Sequence, residues 1–152
     1  MARGMALVDT ALATVHLLVG ALWVGSVVFF AGVVLPAARA GELNAGPLES
    51  MGRSLTRGSR LAAVVMFLTG GHLTGTRYTV ARLTGTTNGN LVVAMLLLWL
   101  VLTALVEVGS SRLRDGVSQR KVREPAANAL GFFRGAAVVG VLLFLTAGAL
   151  VA

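Results

Sequence analysis

The sequence predicts an all-α integral membrane protein: a four-helix antiparallel bundle with both termini outside the cytoplasm. Three observations carry that expectation. The 152 residues are 56% hydrophobic and only 12% charged, with a mean hydropathy of +0.83. The few charges are bunched between long apolar stretches. A helix needs about 20 apolar residues to cross the hydrocarbon, so the chain holds four spans, forms one transmembrane domain over residues 1–152, and leaves no room for a separate soluble domain. The basic residues are also divided unequally among the connections, which sets the orientation.

Composition narrows the function classes as well. The net charge of +7 and a pI near 11.7 would suit nucleic acid, but the basic residues sit beside apolar spans instead of forming one stripe. The expected partner is therefore the lipid bilayer and no nucleic acid. Cysteine is absent, which excludes disulfides, thiolate metal sites, iron–sulfur clusters and cysteine nucleophiles.

The first span is expected over roughly residues 7–35, ending at Pro36 because proline lacks an N–H and clashes with the preceding turn. Arg3 before the run and Ala38-Arg39-Ala40 after it imitate a signal peptide. The apolar core of a signal is only about 7–15 residues, so the run reads as a span. The connection 37–60 carries Arg39, Arg53, Arg57 and Arg60, with Leu48, Met51 and Leu55 at helical spacing. A short amphipathic helix on the membrane surface suits that pattern. The second span, roughly 61–80, has a small and polar half from Thr69 to Thr76 that lets a helix or a flat ligand approach closely. A turn over 84–90 leads to the third span, roughly 91–108, which carries Trp99 and ends at Glu107. The connection 109–128 is strongly basic, and the fourth span runs over roughly 129–151. Glu107 and Asp9 lie near span ends, where interfacial water is expected to solvate them.

Arg3, Arg77 and Arg82 lie on one side of the spans, three in all, against ten lysines and arginines in the 37–60 and 109–134 stretches. By the positive-inside rule the latter are cytoplasmic. That places the protein in the cell membrane with extracytoplasmic N- and C-termini.

Both histidines fall inside spans, where an ionisable side chain is costly and marks a candidate functional site. His16 lies 9 residues after the start of the first span and His72 lies 8 residues before the end of the second, which puts both about 12–14 Å from the outer boundary at 1.5 Å per residue. Histidines at matched depth on antiparallel neighbours suit a haem b with one imidazole on each side of the iron. Ala13 and Gly20 flank His16 on its helix face, and Thr69 and Gly75 flank His72, leaving room beside each ring. Arg77 and Tyr78 could meet haem propionates or serve as interface anchors. Each histidine could instead hydrogen-bond a hydroxyl or carbonyl of a neighbouring helix. Two imidazoles also suit copper, though Met1, Met5, Met51, Met66 and Met95 are scattered and only Met66 is near a histidine. Trp23, seven residues after His16, reads as packing more readily than as a cofactor wall. No catalytic residues are expected, since no serine, histidine and acid are grouped. An electron-transfer role implies a membrane redox partner or quinone, and the small-xxx-small pairs Gly71/Gly75 and Gly131/Gly135 suit contacts within one bundle or between copies in a homo-oligomer.

The stretch from His16 through Leu22-Trp23-Val24-Gly25 to Phe29-Phe30 and Leu35-Pro36 resembles the first helix of the copper resistance D (CopD-like) membrane family. The second span is similar too, with Arg60 at its start and Leu68-Thr69-Gly70 before the histidine, so the resemblance covers roughly residues 12–76. It implies a four-helix unit linked to copper transport or tolerance, with His16, Trp23 and His72 at matching positions. More distantly the chain is similar to HemJ-type protoporphyrinogen oxidases, which bind haem b. Those use an intramembrane lysine, whereas the single lysine here, Lys121, lies in a connection. That departure argues against protoporphyrinogen oxidation. Separately, a non-catalytic subunit or scaffold, in which both histidines would be replaceable, is a third expectation.

Overall fold

The computed structural model describes residues 2–151, with side chains at position 4 and over 6–150. The side chains of Arg3, Met1 and Met5, which entered the charge and methionine readings, lie outside the described residues. Among those described the regular structure is helical throughout: α1 (Ala2–Phe29), a π-helical turn (Phe30–Val34), α2 (Leu35–Ala40), α3 (Ala45–Arg77), α4 (Val80–Gly85), α5 (Thr87–Val117) and α6 (Arg123–Val151). Three helical stretches are long and apolar enough to cross a membrane: Ala6–Ala40, Thr87–Val117 and Arg123–Leu150. α3 has the length, at 33 residues. Arginine at its middle and the small, polar run from Thr69 to Thr76 keep its composition below the same standard.

The first helical run does not end at Pro36. Over Phe30–Val34 the helix widens, and the Leu35 N–H donates to the carbonyl of Phe30, five residues back. This widening takes the proline ring off the preceding turn, and Pro36 has no N–H to leave unpaired. The helix then continues to Ala40 and stops at Gly41, whose φ of 86° is the left-handed conformation common just past a helix end.

The segment 45–60 is not a separate surface helix but the first half of α3. Most of its apolar stripe turns inward: Leu48 is buried, Leu55 is half-buried, and a β-carbon at Gly52 would sit 3.1 Å from Leu113 of α5, while Met51 is exposed. α5 likewise extends well beyond Glu107, which therefore lies within a helix and not at its end. At its other end α5 starts at Thr87, where the Thr86 hydroxyl accepts the Gly89 N–H at 3.0 Å.

Contacts along the chain fix how the long helices pack. Asp9 meets His72, His16 meets Thr69, and Gly20 meets Met66, so α1 and α3 run antiparallel. The pairs Gly52/Leu113, Arg60/Glu107 and Phe67/Trp99 give the same sense for α3 and α5. Gly116/Pro125 and Gly109/Phe133 do so for α5 and α6, and Val24/Gly140 and Phe30/Phe133 for α1 and α6. The four contacts close a ring, with α4 capping one end and the two basic connections at the other.

Burial divides along the ring's axis. The core gathers toward the basic end around Val27, Phe30, Leu102, Val106, Leu113 and Phe133, with the Phe30 and Phe133 ring centres 5.0 Å apart. Toward α4, no residue in 6–19, 70–88, 90–101 or 141–150 is buried. In lipid, close helix packing depends on contact fit and small residues more than on hydrophobic burial. Gly109, Gly116 and Gly140 are among the glycines that seat a neighbour here. Of the two small-xxx-small pairs, Gly71, Gly75 and Gly131 face open space within this chain, and only Gly135 touches Leu105.

A β-carbon at Gly140 would stand 2.7 Å from Val24. Gly140→Val should therefore destabilise the protein by about 1–3 kcal/mol through overpacking. Gly131→Ala, which meets nothing, should leave thermal unfolding in detergent unchanged or slightly raised.

A candidate cofactor site between α1 and α3

Thr69 belongs to the small and polar half of α3 and faces α1. Its hydroxyl donates to the carbonyl of Val65, one turn back, at 2.7 Å, so its proton is committed. The ring nitrogen Nδ1 of His16, 2.7 Å from the same oxygen, must then be the donor. That assigns the His16 proton to Nδ1 and leaves a lone pair on Nε2. A β-carbon at Gly70 would stand 3.0 Å from Cε1 of His16. The imidazole lies against α3 because position 70 carries no side chain.

His72 is held in the opposite sense. Its Nε2 is 3.1 Å from Oδ1 of Asp9 on α1. A carboxylate only accepts, so Nε2–H donates and Nδ1 of the neutral ring keeps the lone pair. Asp9 is thus paired across helices and not simply solvated at a span end. Glu107 corrects the same expectation. Arg60 Nε donates to its Oε1 at 2.7 Å and Arg60 Nη2 to its Oε2 at 2.9 Å, a two-pronged ion pair joining α3 to α5. Sequence reading missed both pairs, although the rule that intramembrane charges seek partners was a signal for them.

The two histidines therefore share one helix interface, but each bonds to the opposite helix. The partner of His16 is Thr69, three residues before His72 in α3, so the rings are staggered by about 4.5 Å along the axis. The flanking positions differ. Gly75 is open, with nothing near its β-carbon position, whereas the space at Gly20 is filled by Met66, with Cε at 3.1 Å and Sδ at 3.4 Å. Trp23 is 4% exposed and belongs to the core, with no protein partner for its indole N–H among the described residues. Trp99 stacks on Phe67 at 5.4 Å. Among the described residues no three histidine, aspartate or glutamate side chains stand together as a metal site.

Arg77 ends α3, away from both imidazole contacts. With Tyr78, Arg82, Thr86, Thr87 and Asn88 it lines an open pocket where α3, α4 and α5 meet. Sequence reading saw only a turn there. Thr86 ahead of an apolar run was the available signal for a capped helix start.

No family model matches the chain, and neither a curated protein nor a solved structure does.

The Arg60–Glu107 fork predicts strong coupling between its members. Arg60→Gln and Glu107→Gln should each lower the melting temperature in detergent, and the double variant should be little worse than the poorer single. Additive losses would show that the two side chains act independently.

Proposed function

We propose that the chain crosses the cell membrane four times as an antiparallel bundle, with α3 as the fourth span and both termini and α4 outside. We further propose that it binds haem b through His16 and His72 and serves electron transfer to a membrane redox partner or quinone. One observation supports this above others: one ring nitrogen of each imidazole meets an oxygen on the opposite helix, Thr69 Oγ1 for His16 and Asp9 Oδ1 for His72, and a neutral ring that donates there keeps a lone pair on its other nitrogen. Ligating histidines are commonly oriented in this way, their second nitrogen donating to a carboxylate or another oxygen. The haem would supply one-electron chemistry. Thr69 and Asp9 would hold the tautomers, and the loosely packed α4 end offers space beside Gly75. Because the His16 ring lies directly on Gly70, a macrocycle does not fit between α1 and α3 in this packing. A haem shared by both histidines requires the two helices to part, whereas a haem on one histidine does not.

Copper is the second reading. It is favoured by the Met66 thioether, which packs over Gly20, one turn from His16 on the same interface. A soft sulfur near imidazole suits that metal.

Purified protein made with adequate haem should show a Soret band and split α/β bands on reduction. His16→Ala and His72→Ala should each remove most of the haem, with the double variant little worse. Copper in place of these bands by elemental analysis selects the second reading, and a protein holding neither defeats both. If only one substitution lowers cofactor content, the group sits on that histidine alone.

The absence of cysteine makes topology directly measurable. Asn88→Cys should react with a membrane-impermeant maleimide in intact cells, and Ser118→Cys only after permeabilisation. Equal labelling of both sites would overturn the four-span reading.

A further inference from the structure

The corner beyond the histidines is built with some care for a segment that sequence reading treats as a turn. α3 stops at Arg77, Tyr78 and Thr79 are extended, and α4 folds back onto the first turn of α5. Gly89 allows this. A β-carbon there would stand 2.1 Å from the Arg82 carbonyl oxygen and 2.6 Å from the Leu83 α-carbon, so α4 is seated on position 89 by backbone contact. The Thr86 hydroxyl ties the two elements together, donating to the Arg82 carbonyl at 2.7 Å while accepting the Gly89 N–H at 3.0 Å.

The result is an open pocket lined by Arg77, Arg82, Tyr78, Thr86, Thr87 and Asn88. Its charge is one-sided. Neither arginine forms an ion pair among the described residues. Asp9 is engaged by His72, and the other five acids, Glu42, Glu49, Glu107, Asp115 and Glu124, lie toward the basic end. The N–H groups of Thr87 and Asn88, in the first turn of α5, have no acceptor within their helix and carry the positive end of its dipole. Two guanidinium groups and two N–H groups without a helical acceptor around one concavity, with no carboxylate, are a set of donors that an anion would complement. A guanidinium fork matches the oxygens of a phosphate group, and phosphate takes several donors at once. The pocket opens at the helix ends, where the headgroup layer lies if α3 crosses the bilayer.

From this we propose that Arg77 and Arg82, with the first turn of α5, form a phosphate-binding pocket that takes the headgroup of an acidic phospholipid. The inference rests on the four-span reading for its location, but its test does not. The measurement is native mass spectrometry and thermal unfolding of the full chain in neutral detergent, titrated separately with phosphatidylglycerol, phosphatidylcholine and inorganic phosphate. Phosphatidylglycerol should be retained and should raise the melting temperature more than phosphatidylcholine does. The double variant Arg77→Gln/Arg82→Gln should weaken that binding at least tenfold. Gly89→Ala, which leaves both arginines in place but forces α4 off α5, should also weaken it; if Gly89→Ala fails to fold, Arg82→Gln alone serves as the second variant. Arg53→Gln/Arg57→Gln, at the basic end, should bind as the wild type does. Stabilisation by inorganic phosphate with no preference for lipid would reassign the ligand to a free phosphate and overturn the lipid proposal. Unaltered binding by the double variant, or equal loss in the basic-end variant, would overturn the pocket itself. Displacement of the lipid on loading with haem would give the arginines to propionates and likewise refute it.

Discussion

An ionisable side chain between packed helices needs a partner on another helix, and in this protein the helix that carries most of these pairings is α3. It is the long helix whose composition is too polar to cross by apolarity alone, and it is also the one tied on both flanks. Asp9 and His16 of α1 reach His72 and Thr69 on one side, and Glu107 of α5 holds Arg60 on the other. The remaining long helices depend on apolar length and van der Waals fit. α3 adds polar cross-links to the apolar packing of Leu48, Ala62 and Ala63, and the ring closes through it because α1 and α5 supply the complementary groups. The features that make α3 a poor membrane helix in isolation are thus the features that fix its position among its neighbours.

Those cross-links also explain how packing is shared along the axis. Toward the basic end, large side chains fill the ring, and Gly109 and Gly116 let Phe133 and Pro125 of α6 approach α5 closely. Toward α4, contacts between helices are made by hydrogen bonds, by the His16 ring on Gly70 and by Met66 over Gly20, and no residue is fully enclosed except at isolated points such as Thr69, Gly20 and Gly89. A well-filled half resists deformation, because a dense interior transmits strain. A half held by a few directed bonds can change spacing without emptying a core. Any cofactor that needs α1 and α3 to separate would therefore act on the half least opposed to it.

Much of this was legible in the sequence. Helical class and three long apolar stretches follow from hydropathy and spacing alone. Axial position was legible to about one turn: counting from span ends put His16 and His72 at one level, and they are staggered by three residues. What spacing does not encode is rotation about the helix axis, and rotation decides that each ring faces a partner on the opposite helix. Pro36 illustrates a second limit. A proline normally ends or kinks a helix, but a five-residue widening just ahead of it removes the clash, and nothing in Phe30–Val34 marks that turn beforehand. Of the stripe at Leu48, Met51 and Leu55, Leu48 and Leu55 turn inward while Met51 stays exposed. Whether such a stripe rests on lipid or on a protein neighbour depends on what α5 presents, which is a tertiary matter.

Counting ion pairs refines the charge balance behind the proposed orientation. Ion pairs reduce the field a charge exerts, so the positive-inside argument weakens if the ten basic residues at one end are mostly neutralised. Three are paired there, Arg53 with Glu49, Arg60 with Glu107 and Lys121 with Glu124, which leaves seven of the ten without an acidic partner among the described residues. At the other end Arg77 and Arg82 remain among the described side chains, and the single acid there, Asp9, is engaged by His72. One of the seven, Arg123, packs its guanidinium over Gly41 and so joins the end of α2 to the start of α6. The excess is therefore both electrostatic and structural: in the proposed orientation these charges would oppose transfer of the basic connections, and one of them, Arg123, also fastens the helices on either side.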